Sequence, residues 1–231
     1  MSDFKNIEHI FFDLDHTLWD FDRNSKLTYA GIFKEENLDI DIEKFVQIYI
    51  PLNLKFWKMY RHNEISKEEL RFQRLKTAFD SYGIEVDKVQ IDHIADQYIL
   101  KLPEHNHLFE GCLELLDGLK DRYQIHLITN GFDEVQEYKI TNAGLKKYFA
   151  YMLTAETAGV KKPDLKIFEQ AMKDTGATPF NSLMVGDSLE ADVEGALAAG
   201  MQAVWFDPDK IDANYNGYRV ERLSQIQELL S

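Results

Sequence analysis

From Pro103 to the end of the chain, short apolar segments alternate with longer segments of helical character. Such alternation is typical of βαβ units, in which parallel strands form a sheet with helices on both faces. A further apolar segment, residues 7–14, predicts a buried strand near the N-terminus. The four later predicted strands are residues 125–129, 151–154, 182–185 and 203–206.

A long helical segment, about residues 22–102, separates the first predicted strand from the others, and it contains no pattern typical of a strand. The tetrapeptide Ser66-Lys67-Glu68-Glu69 within it has the form of a capping box at a helix start. We therefore expect an α/β fold: a Rossmann-like, doubly wound parallel-sheet core with an inserted all-helical cap domain. The expected core is residues 1–16 and 104–231, and the expected cap is residues 17–103.

Charge and cysteine content narrow the classes of partner. The formal net charge is −14, so the surface repels a phosphate backbone, and a nucleic acid polymer is a poor candidate partner. Cys112 is the single cysteine. No apolar stretch is long enough to span a bilayer. None of the apolar stretches is preceded by the features of a secretory signal. We expect a cytoplasmic protein without a membrane partner. An anionic small-molecule substrate would require a local cation.

Residues capable of chemistry follow four of the predicted strands. In a parallel sheet the ligand lies beyond the carboxyl ends of the strands, so these residues are expected at one edge. Each fragment alone is also compatible with a helix cap or a turn. Their occurrence together, in this order, makes coincidence improbable. The fragments are Asp13-Leu14-Asp15-His16-Thr17, Thr129-Asn130-Gly131, Lys161-Lys162-Pro163-Asp164 and Gly186-Asp187-Ser188-Leu189-Glu190-Ala191-Asp192.

The ordered set resembles the four motifs of the haloacid dehalogenase-like (HAD) hydrolase superfamily, in the subfamily whose helical cap lies between the first and second motifs. The resemblance covers nearly the whole chain. It implies a phosphatase that acts on a small-molecule phosphate ester through an aspartyl-phosphate intermediate.

The resemblance and the chemistry together assign catalytic roles. Asp13 is expected to attack phosphorus, since a carboxylate is already anionic and forms a hydrolysable acyl phosphate. Asp15 is expected to act as general acid on the leaving oxygen and then as general base on water. Thr129 and the backbone near Asn130 are expected to bind the phosphoryl group. Lys162, the lysine before proline in the motif, is expected to neutralise negative charge there.

Two carboxylates facing a phosphate form a repulsive site unless a cation is present. Mg²⁺ suits ligation by oxygen atoms and retained waters, and we expect Asp13 and Asp187 to bind it. The resemblance adds the backbone carbonyl of Asp15 as a ligand, and Asp192 as a residue that supports the metal.

Asp15 distinguishes branches of the superfamily. Dehalogenases lack a carboxylate two residues after the nucleophile, because a halide leaves without a proton. No lysine suitable for a Schiff base is identifiable in the cap, which argues against phosphonate cleavage. As alternative functions, a phosphoglycolate phosphatase, a sugar-phosphate phosphatase or a phosphomutase of the same cap class is also compatible with the sequence. A non-catalytic regulatory protein on the same scaffold is a further alternative.

The cap sequence suggests a substrate class. Tyr49, Asn53, Trp57 and Tyr60 share one helix face, and Arg74 lies on the next predicted helix. Packing between cap helices is an alternative role for each aromatic residue. The pattern resembles the cap of the HAD 5′-nucleotidases, which act on pyrimidine and some noncanonical nucleoside monophosphates. It predicts that Asn53, Trp57, Tyr60 and Arg74 contact a nucleoside.

Overall fold

A computed structural model of the chain describes residues 4, 6–211 and 215–231. The chain forms two compact units. One comprises residues 1–20 and 106–231, and the other comprises residues 21–105. The first contains a β-sheet and is called the core below; the second is helical and is called the cap.

The core is built on a six-stranded parallel sheet with the strand order β3-β2-β1-β4-β5-β6. Strand β1 lies inside the sheet, where Phe12 is paired with Leu127 of β2 and with Val185 of β4. Its apolar residues are almost completely buried, as expected for a strand covered on both faces. The predicted Rossmann-like α/β core is confirmed. The strands are β1 (His9–Phe12), β2 (Gln124–Thr129), β3 (Tyr151–Thr154), β4 (Ser182–Gly186), β5 (Gln202–Phe206) and β6 (Arg219–Val220).

Four helices, α1 to α4, form the cap: α1 (Phe21–Glu35), α2 (Ile42–Arg61), α3 (Lys67–Tyr82) and α4 (Lys88–Lys101). The predicted capping box at the start of α3 is confirmed: the Glu69 backbone N–H donates to Ser66 Oγ at 3.1 Å, and the Ser66 N–H donates to Glu69 Oε2 at 2.8 Å. Aromatic rings fill the centre of the cap, and Tyr29 packs against Tyr49 and Tyr98. Within the described ranges, no helix is both long and apolar enough to span a membrane.

The described part of the core also contains six α-helices. They are α5 (Cys112–Leu119), α6 (Asp133–Asn142), α7 (Ala155–Ala158), α8 (Leu165–Thr175), α9 (Gly195–Ala198) and α10 (Ser224–Leu229). A π-helical turn, Leu189–Glu194, directly precedes α9.

The first strand is shorter than its apolar pattern predicted, because the chain turns sharply after Phe12. Leu14 O accepts hydrogen bonds from the backbone of Leu18 and Trp19, and His16 adopts a positive φ of 64°. The segment that contains the first motif is therefore a compact loop at the end of β1. The short strand β6 was not predicted, since two residues give no periodicity.

Candidate active site

The predicted core residues gather at the carboxyl edge of the sheet. Asp13 directly follows β1, and its N–H donates to Val185 O of β4 at 2.9 Å. Thr129 ends β2, and Asp187 directly follows β4. Because β2 and β4 flank β1, three motifs that are far apart in sequence meet at one place. This is the position where the strand order reverses and where such sheets bind ligands.

Lys162 connects the first and fourth motifs. Its Nζ lies 2.5 Å from Asp13 Oδ1 and 2.6 Å from Asp192 Oδ1, and it donates to Ile128 O at 2.7 Å. Lys162 and Asp192 are each 1% exposed. Burial disfavours the ammonium charge, but the two carboxylates outweigh it and raise the pKa of Lys162. The lysine is therefore a buried, permanently positive group beside the predicted nucleophile.

Asn130 fixes the backbone of this lysine. Its side-chain Nδ2 donates to Lys162 O at 3.0 Å, and its Oδ1 accepts from the Lys162 N–H at 2.9 Å. The side chain was not expected to have this position; the prediction concerned backbone N–H groups near Asn130 as phosphoryl donors. The amide thus links the second motif to the third and determines where the lysine side chain begins.

Asp13, Asp187 and Asp192 form a carboxylate cluster whose potential ligand oxygens all lie within 4.8 Å of one another. Burial and the neighbouring Asp192 raise the pKa of Asp187 to about 8. Burial also raises the pKa of Asp13 well above its usual range, against the opposing effect of Lys162. When all three carboxylates are ionised, as metal ligation requires, they and the Lys162 ammonium carry a net charge of two negative. Oxygen ligands with that charge fit a divalent hard cation.

The residues around the cluster hold its carboxylates in place. Thr17 Oγ1 donates to Asp187 Oδ1 at 3.3 Å and accepts from the Asp187 N–H at 3.0 Å. Trp205 Nε1 donates to Asp187 O at 2.7 Å. A Cβ on Gly186 would lie 2.3 Å from Asp192 Oδ2, so a glycine is needed for this carboxylate to approach the strand end. Neither Thr17 nor Trp205 was identified from the sequence, although Thr17 lies within the first motif.

Thr129 lies at the end of β2 and is 1% exposed. Its Oγ1 accepts hydrogen bonds from the Gly131 N–H at 3.0 Å and from Gln136 Nε2 at 2.7 Å. A hydroxyl oxygen has two lone pairs and one proton. With both lone pairs engaged, Thr129 can act towards a ligand only as a donor, as a phosphoryl-binding residue must.

Asp15 is held by two side chains of α6. Lys139 Nζ lies 2.6 Å from Asp15 Oδ1, and Gln136 Nε2 donates to Asp15 Oδ2 at 3.0 Å. Lys139 is 2% exposed, and its ammonium also lies over the Trp19 ring, 4.3 Å from the centroid. Sequence reasoning did not identify Gln136 or Lys139. One signal was present: both polar residues fall on the same helix face as Val135 and Ile140.

The predicted substrate residues of the cap divide into buried and partly exposed groups. Asn53 and Arg74 are each 2% exposed, and Arg74 Nη1 donates to Asn53 Oδ1 at 3.0 Å. Tyr49 OH donates to the same oxygen at 3.3 Å. Tyr60 is 7% exposed and packs edge-on against Trp57, which is partly exposed. Tyr49 therefore packs in the cap interior, and Trp57 retains exposed surface.

The carboxyl edge of the sheet combines buried aspartates with a buried lysine, an arrangement typical of one class of hydrolases. The sequence matches the family model of that class. Residues 7–200 match the haloacid dehalogenase-like hydrolase family. The chain belongs to this family, and the predicted resemblance is confirmed.

Two relatives are similar over almost their full length. The pyrimidine 5′-nucleotidase PynA of Streptococcus pneumoniae is 31% identical over 96% of this chain and 92% of its own. The pyrimidine 5′-nucleotidase YjjG of Escherichia coli is 30% identical over 96% of each chain.

Among solved structures, the magnesium-bound HAD-hydrolase YfnB of Bacillus subtilis is similar with a TM-score of 0.88. It is 23% identical, and the match covers 98% of this chain and 99% of that one. This likeness supports the fold assignment.

Proposed function

We propose that this protein is a Mg²⁺-dependent phosphatase that hydrolyses nucleoside 5′-monophosphates through an aspartyl-phosphate intermediate. The observation that supports it best is the buried Asp13 carboxylate, which is paired with Lys162 and clustered with the carboxylates of Asp187 and Asp192. A carboxylate buried beside a fixed cation and a potential metal site suits nucleophilic attack on a phosphorus atom that bears negative charge.

Two half-reactions follow from these positions. In the first, an Asp13 oxygen forms a bond to phosphorus while the bond to the ester oxygen breaks, and Asp15 donates a proton to the departing alcohol. In the second, Asp15 takes a proton from water, the water oxygen attacks phosphorus, and the bond to Asp13 breaks. Inorganic phosphate leaves, and both aspartates return to their starting states.

The other core residues stabilise the phosphoryl group during both steps. Lys162 supplies a fixed positive charge to the nucleophile and the phosphoryl oxygens, and Thr129 donates one hydrogen bond. Mg²⁺ held by Asp13, Asp187 and the backbone of Asp15, with support from Asp192, would neutralise the remaining negative charge and orient the phosphoryl group.

The cap supports the choice of a nucleotide as substrate. Among the described residues, Arg74 has no carboxylate partner although it is 2% exposed, and its Nε lacks a hydrogen bond. A buried guanidinium that lacks an anion is costly unless another polar group completes its hydrogen bonds. A base carbonyl or a sugar oxygen of the substrate would do so, with Asn53 orienting the guanidinium. Trp57, beside Tyr60, offers partly exposed aromatic surface for stacking on a base.

A phosphate-release screen tests the proposal. Purified protein is supplied with Mg²⁺ and, in parallel, nucleoside 5′-monophosphates, hexose phosphates and phosphoglycolate, with EDTA and Asp13→Asn as controls. We expect nucleotides to have the highest kcat/KM, with pyrimidines above purines, as the names of the two relatives suggest. A hexose phosphate or phosphoglycolate as best substrate would refute the nucleotidase assignment alone. Absence of Mg²⁺-dependent release from every ester would refute the phosphatase.

A further inference from the structure

Helix α6 contacts two groups that the proposed reaction needs in a fixed relative position. One amide nitrogen, Gln136 Nε2, donates both to Asp15 Oδ2 at 3.0 Å and to Thr129 Oγ1 at 2.7 Å. Gln136 is 0% exposed, and an amide nitrogen has two protons, so both hydrogen bonds can form together. The proton-transfer carboxylate and the phosphoryl-binding hydroxyl are therefore joined through a single buried side chain.

The orientation of this amide follows from its neighbours. If the oxygen and nitrogen of Gln136 were exchanged, an amide oxygen would face the Asp15 carboxylate, and two acceptors would repel each other. In the present orientation Gln136 Oε1 is buried without a hydrogen-bond partner in the described part of the chain. A buried acceptor of this kind costs free energy. Packing alone gives no reason for that cost, whereas a requirement to donate to Asp15 and Thr129 does.

Lys139 restrains the other carboxylate oxygen. Its Nζ lies 2.6 Å from Asp15 Oδ1, and the Trp19 ring covers the ammonium. Gln136 and Lys139 are three residues apart, so they project from the same face of α6. With one donor on each oxygen, rotation of the Asp15 carboxylate is restricted on both sides.

We propose that Gln136 and Lys139 are positioning residues of the hydrolytic reaction. Lys139 orients Asp15 for proton transfer to and from the reacting oxygen. Gln136 does the same and, in addition, fixes Thr129 so that its hydroxyl proton points to the phosphoryl group. This inference rests on the proposed function, in which Asp15 is the general acid and base.

Substitution of Lys139 and substitution of Gln136 should therefore differ in how strongly they slow two kinds of substrate. When a nucleotide reacts, the leaving ester oxygen needs a proton to depart as an alcohol. The phenolate that leaves from 4-nitrophenyl phosphate needs no proton. The ratio kcat/KM reports only the steps through formation of the aspartyl phosphate, so hydrolysis of that intermediate does not obscure the comparison. A misplaced Asp15 slows the nucleotide selectively, and a misplaced Thr129 slows both substrates.

The experiment compares Lys139→Met, Gln136→Met and the matched surface control Lys166→Met, whose side chain is exposed. For Lys139→Met we expect kcat/KM to fall about 10²-fold with the nucleotide, as for a misplaced catalytic group, and by no more than about threefold with 4-nitrophenyl phosphate. For Gln136→Met we expect a fall of about tenfold or more with both substrates and a larger one with the nucleotide. Lys166→Met should match the wild type.

Two further variants separate positioning from folding. Lys139→Arg keeps the cation and should recover part of the nucleotide rate, whereas Lys139→Gln should not; thermal unfolding of each variant tests whether it is folded. Equal losses with both substrates in folded Lys139→Met, or no loss at all, would overturn the inference. Hydrolysis by the wild type tests the proposed function separately, because this inference concerns only the ratios between substrates.

Discussion

The carboxylate cluster should make the metal-free protein less stable than it would be with one carboxylate fewer. Asp187 faces two carboxylates and one ammonium, and the potential ligand oxygens lie within 4.8 Å of one another. The attraction between Asp187 and the ammonium cancels about one of the two repulsions between Asp187 and the other carboxylates. The repulsion from one carboxylate is therefore uncompensated. At an effective dielectric constant of about 20 and this distance, that repulsion is about 3 kcal/mol. Asp187→Asn removes it and keeps an oxygen that can accept the Thr17 hydrogen bond.

The assay is urea unfolding at pH 9, above the pKa of about 8 that burial and Asp192 give Asp187 without metal, with EDTA or with Mg²⁺. In EDTA, Asp187→Asn should raise the free energy of unfolding by up to about 3 kcal/mol. In the wild type, Mg²⁺ at a hundred times its dissociation constant should add about 2.7 kcal/mol, because it binds only the folded state. The variant should show little of that increase.

The exposed residue Asp121 provides a matched control. Asp121→Asn should change neither the stability in EDTA nor the response to Mg²⁺. If Asp187→Asn lowers the stability in EDTA, the cluster is not electrostatically strained. If it responds to Mg²⁺ as the wild type does, Asp187 is not a ligand.

Four other outcomes are expected. Asp13→Asn should abolish turnover in a folded protein, since an amide cannot form the acyl phosphate; substantial residual activity would exclude the covalent route. Asp15→Asn should slow nucleotide turnover about 10²–10⁴-fold while Mg²⁺ still raises the thermal stability. Trp57→Ala and Arg74→Ala should reduce the preference for nucleotides over a simple aryl phosphate, measured as a ratio of kcat/KM; equal loss on all substrates would contradict their role. Burial lowers the pKa of His126 from 6.5 to about 4, so the unfolded chain binds a proton between these values that the folded protein does not. Stability should therefore fall as the pH drops through this window, by about 2 kcal/mol at pH 5 relative to His126→Asn, measured by urea unfolding.

The core of the fold could be predicted because interior strands of a parallel sheet are apolar on both faces. Strand β4 is buried throughout, and its sequence is correspondingly apolar and ends in a glycine. The convergence of Asp13, Thr129 and Asp187 also followed from sequence order, since the carboxyl ends of parallel strands lie at one edge. These features depend on local sequence and topology alone.

The residues that hold the predicted groups in place could not be found in this way. Whether Lys139 faces Asp15 depends on the rotation of α6 about its own axis, and the two residues are 124 positions apart in sequence. A buried lysine and glutamine beside apolar residues indicate a polar contact inside the protein, but they do not identify the partner. The partner is determined by tertiary packing.

The glycines of the second and fourth motifs show why those motifs are informative beyond their reactive residues. Asn-Gly and Gly-Asp pairs suggest turns, for which glycine supplies a left-handed backbone. Neither Gly131 nor Gly186, however, has a positive φ. A Cβ on Gly131 would lie 2.3 Å from Gln136 Nε2, and one on Gly186 would lie 2.3 Å from Asp192 Oδ2. Each glycine is needed because a polar side chain occupies the space of a Cβ. A motif glycine with an ordinary backbone conformation therefore indicates a buried side chain that packs against it, and here those side chains contact Asp15 and Lys162.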